Sequence, residues 1–113
     1  MVDRTKKRVR TGVANVAKLD RLIHGRIRLG ILSVLAINER LQFNDLKRLV
    51  DTTDGNLSVH ARKLEEAGYI SCRKYFDDRT PRTEYSLTEK GRQAFSDYLE
   101  RMETLIGMVR KSR

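Results

Sequence analysis

From Val13 onward, apolar side chains recur at Val16, Leu19, Leu22 and Ile23 and then at Ile27, Ile31, Leu32, Val34 and Leu35, the spacing of a helix with one buried face. Gly25 and Gly30 fall inside this stretch. Each costs about 1 kcal/mol in a helix interior, so a break is expected at Gly25, beside His24. Leu41-Gln42-Phe43 alternates briefly and fits either a small edge strand or a loop. Asn44 and Asp45 then precede Leu46, Leu49 and Val50. This order predicts a short helix capped by Asn44, with acid at its positive end, stopping near Asp51-Thr52.

Thr52-Thr53-Asp54-Gly55 supplies capping residues for a third helix, whose stripe is Leu57, Ala61, Leu64 and Ala67 and whose end is marked by Gly68. Residues 69–76 and 83–87 are rich in strand formers and flank Asp77-Asp78-Arg79-Thr80-Pro81-Arg82, which predicts a hairpin around a basic turn stiffened by Pro81. Thr88 and Glu89 open a last helix that runs to about Val109. Its seam is Phe95, Leu99, Met102, Ile106 and Val109. Such a helix spans about 30 Å, more than a small domain needs to cover its own core, so part of the seam is expected to face a second chain.

At 113 residues the chain has the length of one domain. The expected division is a basic arm over residues 1–12 and one folded unit over 13–113, with the last helix at 88–110. Lysine and arginine number 24 against 15 acidic residues, a net charge of +9, which points to a polyanionic partner. Nine basic side chains against Asp3 and Asp20 lie within the first 28 residues; the arm reads equally as a solvated tail or a nucleic-acid contact. No apolar run is long enough to span a membrane, and the N-terminus lacks the apolar core of a secretory signal, so a cytoplasmic protein is expected.

Cys72 is the single cysteine, which excludes an internal disulfide. With only His24 and His60 beside it, a structural zinc site is not expected. All three read as packing or structural residues. No phosphate-gripping glycine loop, His-Glu-x-x-His pair or nucleophile-base constellation occurs, so neither catalysis nor a cofactor is expected.

Helix, short strand, helix, helix, strand, basic turn, strand and helix, in that order, describe a winged helix-turn-helix, an α+β and mainly helical fold. The segment from Leu57 to Ile70 (Leu-Ser-Val-His-Ala-Arg-Lys-Leu-Glu-Glu-Ala-Gly-Tyr-Ile) resembles the recognition-helix signature of bacterial and archaeal MarR/ArsR-like winged-helix regulators. Leu87-Thr88-Glu89-Lys90-Gly91 resembles the end of their wing, and the run from Leu22 to Leu32 their first-helix entry. The three stand in the family's order over residues 20–95. The paired cysteines of its metal sensors are absent.

This resemblance implies a homodimer that places the third helix, about 54–67, in the DNA major groove. It implies a wing, 77–82, on flanking backbone or minor groove, with terminal helices forming the dimer. Off the core stripe, the third helix offers Asn56 for adenine, Ser58 for base or phosphate, and Val59 for a thymine methyl. Arg62 and Lys63 would serve guanine or phosphate. The wing offers Arg73, Lys74, Arg79 and Arg82. Val13 and Val16 join the last helix's seam at the expected dimer interface. The expected function is a double-stranded-DNA-binding transcription regulator; an architectural DNA binder and a winged-helix protein-interaction module are the alternatives. No small-molecule effector is named by the sequence.

Overall fold

The computed structural model describes residues 20–112; the arm expected over residues 1–12 and the interface positions Val13 and Val16 lie outside the described residues. The described elements are α1 (Arg26–Ile37), β1 (Leu41–Gln42), α2 (Phe43–Val50), α3 (Asp54–Glu66), β2 (Ile70–Asp77), β3 (Thr80–Leu87) and α4 (Glu89–Lys111).

The break expected at Gly25 is present, but Leu22 and Ile23, whose spacing predicts helix, lie in the turn before it, and α1 starts only at Arg26. Asp20 pins that turn: one carboxylate oxygen accepts the Leu22 N–H at 2.9 Å, and its carbonyl accepts from Ile23 and His24. The Tyr69 hydroxyl donates to the other carboxylate oxygen at 2.8 Å, which ties the turn to the entry of β2. The helix continues through Gly30 because Val50 of α2 packs there; a Cβ at Gly30 would lie 3.1 Å from a Val50 methyl.

The first helix turn of α2 corrects the expectation at Asn44. The helix starts at Phe43, and Gln42 flanks it in extended conformation without a side-chain cap. Leu41 and Gln42 pair with Tyr85 and Glu84, so strand pairing holds the backbone extended up to the helix and Asn44 falls inside the first turn. Asp51 ends α2 in the left-handed region, φ 60°. Its N–H donates to the Arg48 carbonyl and that of Thr52 to the Lys47 carbonyl, the paired bonds of a Schellman stop.

α3 is capped as its sequence predicts: Thr53 Oγ1 accepts the Asn56 N–H at 3.2 Å. Gly68, at φ 82°, closes it with a second Schellman stop, through bonds to the Glu65 and Leu64 carbonyls.

The sheet is antiparallel in the order β1-β3-β2. Hairpin pairing runs without interruption from Ile70 opposite Leu87 to Asp77 opposite Thr80. The turn is therefore only Asp78-Arg79, with Asp78 at φ 61°, tighter than the six residues expected. Pro81 lies in β3 opposite Phe76 and does not stiffen the loop. In a two-residue hairpin the pair flanking the turn exchanges both hydrogen bonds and the next pair exchanges none, so a residue lacking an N–H is tolerated at Pro81, beyond the reach of β1.

Thr88 caps α4, accepting the Gly91 N–H at 2.9 Å. Its hydroxyl also lies 2.6 Å from the Gly68 carbonyl oxygen, to which it donates. Gly91 sits against Tyr69 so closely that a Cβ would fall 1.9 Å from the Tyr69 carbonyl oxygen.

The core is built around Ile31, Leu32 and Leu35 of α1. It takes Leu46 and Val50 from α2, Leu57, Ala61 and Leu64 from α3, Ile70 and Tyr85 from the sheet, and Phe95 and Tyr98 from α4. Each large side chain buried this way contributes about 1.5–3 kcal/mol. Phe95, expected on the dimer seam, is 7% exposed and belongs to this chain's own core. Met102 packs partly against that core, whereas Leu99, Ile106 and Val109 stay exposed. The helix is 23 residues long, about 34 Å, and only its first part has a core to cover.

Candidate nucleic-acid interface

Because Leu57, Ala61 and Leu64 are buried, the helical period turns Asn56, Ser58, Val59, Arg62 and Lys63 outward together, and all five are exposed. Ser58, Val59, Arg62 and Lys63 line one shallow groove with Glu66. Among the described residues, no side-chain hydrogen bond or ion pair engages Asn56, Ser58, Arg62 or Lys63. The helix is held from both ends, by the Thr53 cap and the Gly68 stop, and its first turn is tied to α2 by Lys47 and Asp54 at 2.8 Å. The result is a rigid rod with one polar face whose donors are uncommitted.

Strand pairing sorts the four wing cations. Ile70, Cys72, Lys74 and Phe76 share the face of β2 that packs on the core at its base, and Ser71, Arg73, Tyr75 and Asp77 share the other. Arg73 is engaged on that outer face: it donates to Glu84 at 3.2 Å and its guanidinium lies 4.4 Å from the Tyr75 ring centre. Arg82 stands opposite Tyr75; its Nε has no hydrogen-bond partner and reaches Asp77 only at 3.9 Å. Lys74, on the core-side face, and Arg79, in the turn, are exposed and carry no ion pair among the described residues. The loose Arg82–Asp77 pair contributes about 0–1 kcal/mol, whereas Arg73 is held by a Glu84 carboxylate that is only 14% exposed and by the Tyr75 ring.

Two groupings were not legible in the sequence. The β1–β3 pairing brings Gln42, Phe43 and Asn44 beside Pro81, Arg82 and Thr83 in one hollow between α2 and the wing; no local spacing announces a contact between residues so far apart. A basic cleft gathers Arg21, His24, Arg26, Arg28 and His60 around Gly25. Two of its arginines brace the fold. Arg26 donates to the Val50 and Asp51 carbonyls at 3.2 and 3.3 Å, at the negative end of α2. Arg28 donates to His60 Nδ1 at 3.1 Å and to the Leu22 carbonyl at 3.2 Å. His24 Nδ1 is 2.5 Å from the Tyr98 hydroxyl, joining the turn to α4.

Burial pushes the Cys72 thiol up, reinforced by Glu65, and pushes its neighbour Tyr85 up to about 12. Both stay protonated near neutrality, so Cys72 is a packed thiol and no nucleophile. Among the described residues, no group of three or more His, Cys, Asp or Glu side chains is placed to hold a metal ion, and no helix is long and apolar enough to cross a membrane.

A family model described as a winged helix DNA-binding domain matches residues 27–106. Over 79 residues, covering 70% of this chain and 86% of the relative, the chain is 37% identical to an uncharacterised protein of Methanocaldococcus jannaschii. It is also 37% identical over 70 residues, 61% of each chain, to an uncharacterised HTH-type transcriptional regulator of Halalkalibacterium halodurans, and so spans under two thirds of that relative. Among solved structures, a transcriptional regulator homologue from Pyrococcus horikoshii OT3 superposes with a TM-score of 0.80 at 27% identity, over 88% of this chain and 98% of that one. A MarR-family regulator from Enterococcus faecalis V583 superposes with a TM-score of 0.71 at 22% identity over 92% of both.

Proposed function

Since the chain belongs to the winged helix DNA-binding domain family, we propose that it is a homodimeric, cytoplasmic transcription regulator that reads double-stranded DNA with α3 and grips the flanking backbone with its wing. It is a transcription-regulator type of protein and not an enzyme, as its family and relatives are. The observation that carries the reading is the exposed face of α3, where Asn56, Ser58, Val59, Arg62 and Lys63 point outward together and the donors of the four polar side chains are uncommitted. A B-DNA major groove accepts one helix, and amide, hydroxyl and guanidinium groups on it discriminate base edges. The surplus of basic side chains over the whole chain supplies the attraction to phosphate.

In this reading Arg62 and Lys63 contact guanine or phosphate, Lys74 and Arg79 contact the flanking backbone directly, Arg82 exchanges its loose pair with Asp77 for phosphate, and Arg73 turns from Glu84 to phosphate. The exposed stripe Leu99, Ile106 and Val109 with Met102 joins two copies and sets the two α3 helices about 34 Å apart, one turn of DNA.

Selection of bound duplexes from random DNA at about 150 mM salt tests this, since weak phosphate binding is suppressed there. A two-fold symmetric motif is expected, with Arg62→Ala and Lys63→Ala each weakening it about tenfold or more and Lys111→Ala leaving it nearly unchanged. Equal losses at Lys63 and Lys111 would move the reading face off α3. Retention without a motif would favour an architectural binder, and no retention at all a protein-docking module.

A further inference from the structure

Beside the polar turn of the wing, Asp77-Asp78-Arg79-Thr80, one exposed cross-strand pair is apolar. Phe76 is 72% exposed and is the exposed aromatic among the described residues. Its cross-strand partner is Pro81, also exposed. Along this face the chemistry changes with distance from the core: Ile70 with Leu87 and Cys72 with Tyr85 pack inward, Lys74 stands opposite Thr83, and Phe76 stands opposite Pro81 next to the turn. β1 pairs only with Tyr85 and Glu84; Pro81 borders the hollow it shares with Gln42, Phe43 and Asn44, and Phe76 stands uncovered beside it. Lys74 and Arg79 flank the pair, against Asp78 in the turn, while Asp77 lies on the other face near Arg82.

An apolar pair with cations on either side fits a polyanion whose interior is apolar. The minor groove of B-DNA, about 6 Å wide, is bordered by phosphates and floored by sugars and base edges. Aromatic and proline side chains that enter it unstack a base step and bend the duplex. We propose that Phe76, backed by Pro81, is a wedge that enters the minor groove beside the α3 site, with Lys74 and Arg79 on the bordering phosphates, and kinks the DNA there. The inference rests on the DNA-binding reading above and adds to it a deformation, so the protein selects sites that bend easily at positions its helix never touches.

The test uses the full chain with a roughly 40-base-pair duplex carrying the selected site, end-labelled for energy transfer, and with 2-aminopurine placed step by step beside the α3 site. Wild type is expected to shorten the end-to-end distance by a bend of tens of degrees and to brighten one 2-aminopurine step. Phe76→Ala is expected to lose both signals and bind about tenfold more weakly, and Phe76→Leu to keep most of each. Phe76 lies outside the core, so the melting temperature of both variants should match wild type. Binding by Phe76→Ala with wild-type bend and brightness would overturn the wedge and leave the DNA reading standing. A change in sedimentation of Phe76→Ala would overturn it in favour of a second copy covering the tip. Failure of wild type itself to bind any duplex would remove the DNA reading, and the wedge with it.

Discussion

Arg28 of α1 donates its Nε–H to Nδ1 of His60 on α3 at 3.1 Å, so the helix with the exposed polar face is fastened to the centre of the core through an imidazole that must stay neutral. Burial, and then the Arg28 charge, lower the His60 pKa from its ordinary 6.5. As pH falls below about 6.5 the unfolded chain takes up this proton before the folded chain does, so stability is lost from there down to the lowered folded value. Thermal melts between about pH 7 and pH 5 should therefore fall more steeply for wild type than for His60→Asn, which keeps an acceptor and cannot titrate. Parallel curves would show that folding does not lower the His60 pKa.

Gly91 admits no side chain: a Cβ there meets the Tyr69 carbonyl oxygen at 1.9 Å, and that oxygen also accepts the Thr88 N–H at 3.1 Å. Gly91→Ala is expected to cost about 3 kcal/mol or more in urea unfolding, by prising α4 from the hairpin's base. Gly55→Ala, with nothing within 4 Å of its Cβ, should instead gain about 0.5 kcal/mol. Similar effects from the two would mean that the close approach relaxes freely.

Signals that act within a few residues are legible in the sequence, and contacts between remote residues are not. Thr53, Gly68 and Thr88 announce helix ends because caps and stops act within a few residues. Asn44 misled because its rival, pairing of Gln42 with Glu84, is remote in sequence. Pro81 reads as a turn residue from its neighbours, whereas the register places it opposite Phe76. Phe95 and Leu99 share a helical stripe, and only the distance the core reaches along α4 divides them. On α3 the five outward residues followed from period alone, whereas the sorting of wing cations needed to know which residues face which.

That division on α4 predicts two different failures. Leu99, Ile106 and Val109, at 45%, 42% and 57% exposure, follow the spacing of a helix-pairing seam with Met102. Leu99→Glu combined with Ile106→Glu should halve the mass seen by sedimentation and leave the fold intact. Phe95→Ala should leave the assembled mass alone and cost about 3 kcal/mol of stability. An unchanged mass in the double variant would place the interface elsewhere.

Asp51 holds a left-handed backbone at φ 60°, a conformation that costs a residue with a Cβ about 1 kcal/mol. It also puts a negative charge at the negative end of α2. Asp51→Gly is expected to stabilise the chain by about 0.5 kcal/mol, a rise of a few degrees in melting temperature. A loss would show that the side chain contributes more than its backbone strain costs.

The two-residue turn of the hairpin also governs how this surface can change over generations. Strand side chains alternate between faces, so adding one residue to β2 ahead of Lys74 would send Lys74 and Phe76 to the side now held by Arg73 and Tyr75. Point substitutions within the wing adjust contacts one at a time. A single-codon insertion or deletion exchanges the whole set at once, so descendants of this chain can vary the identity of wing residues far more freely than their number.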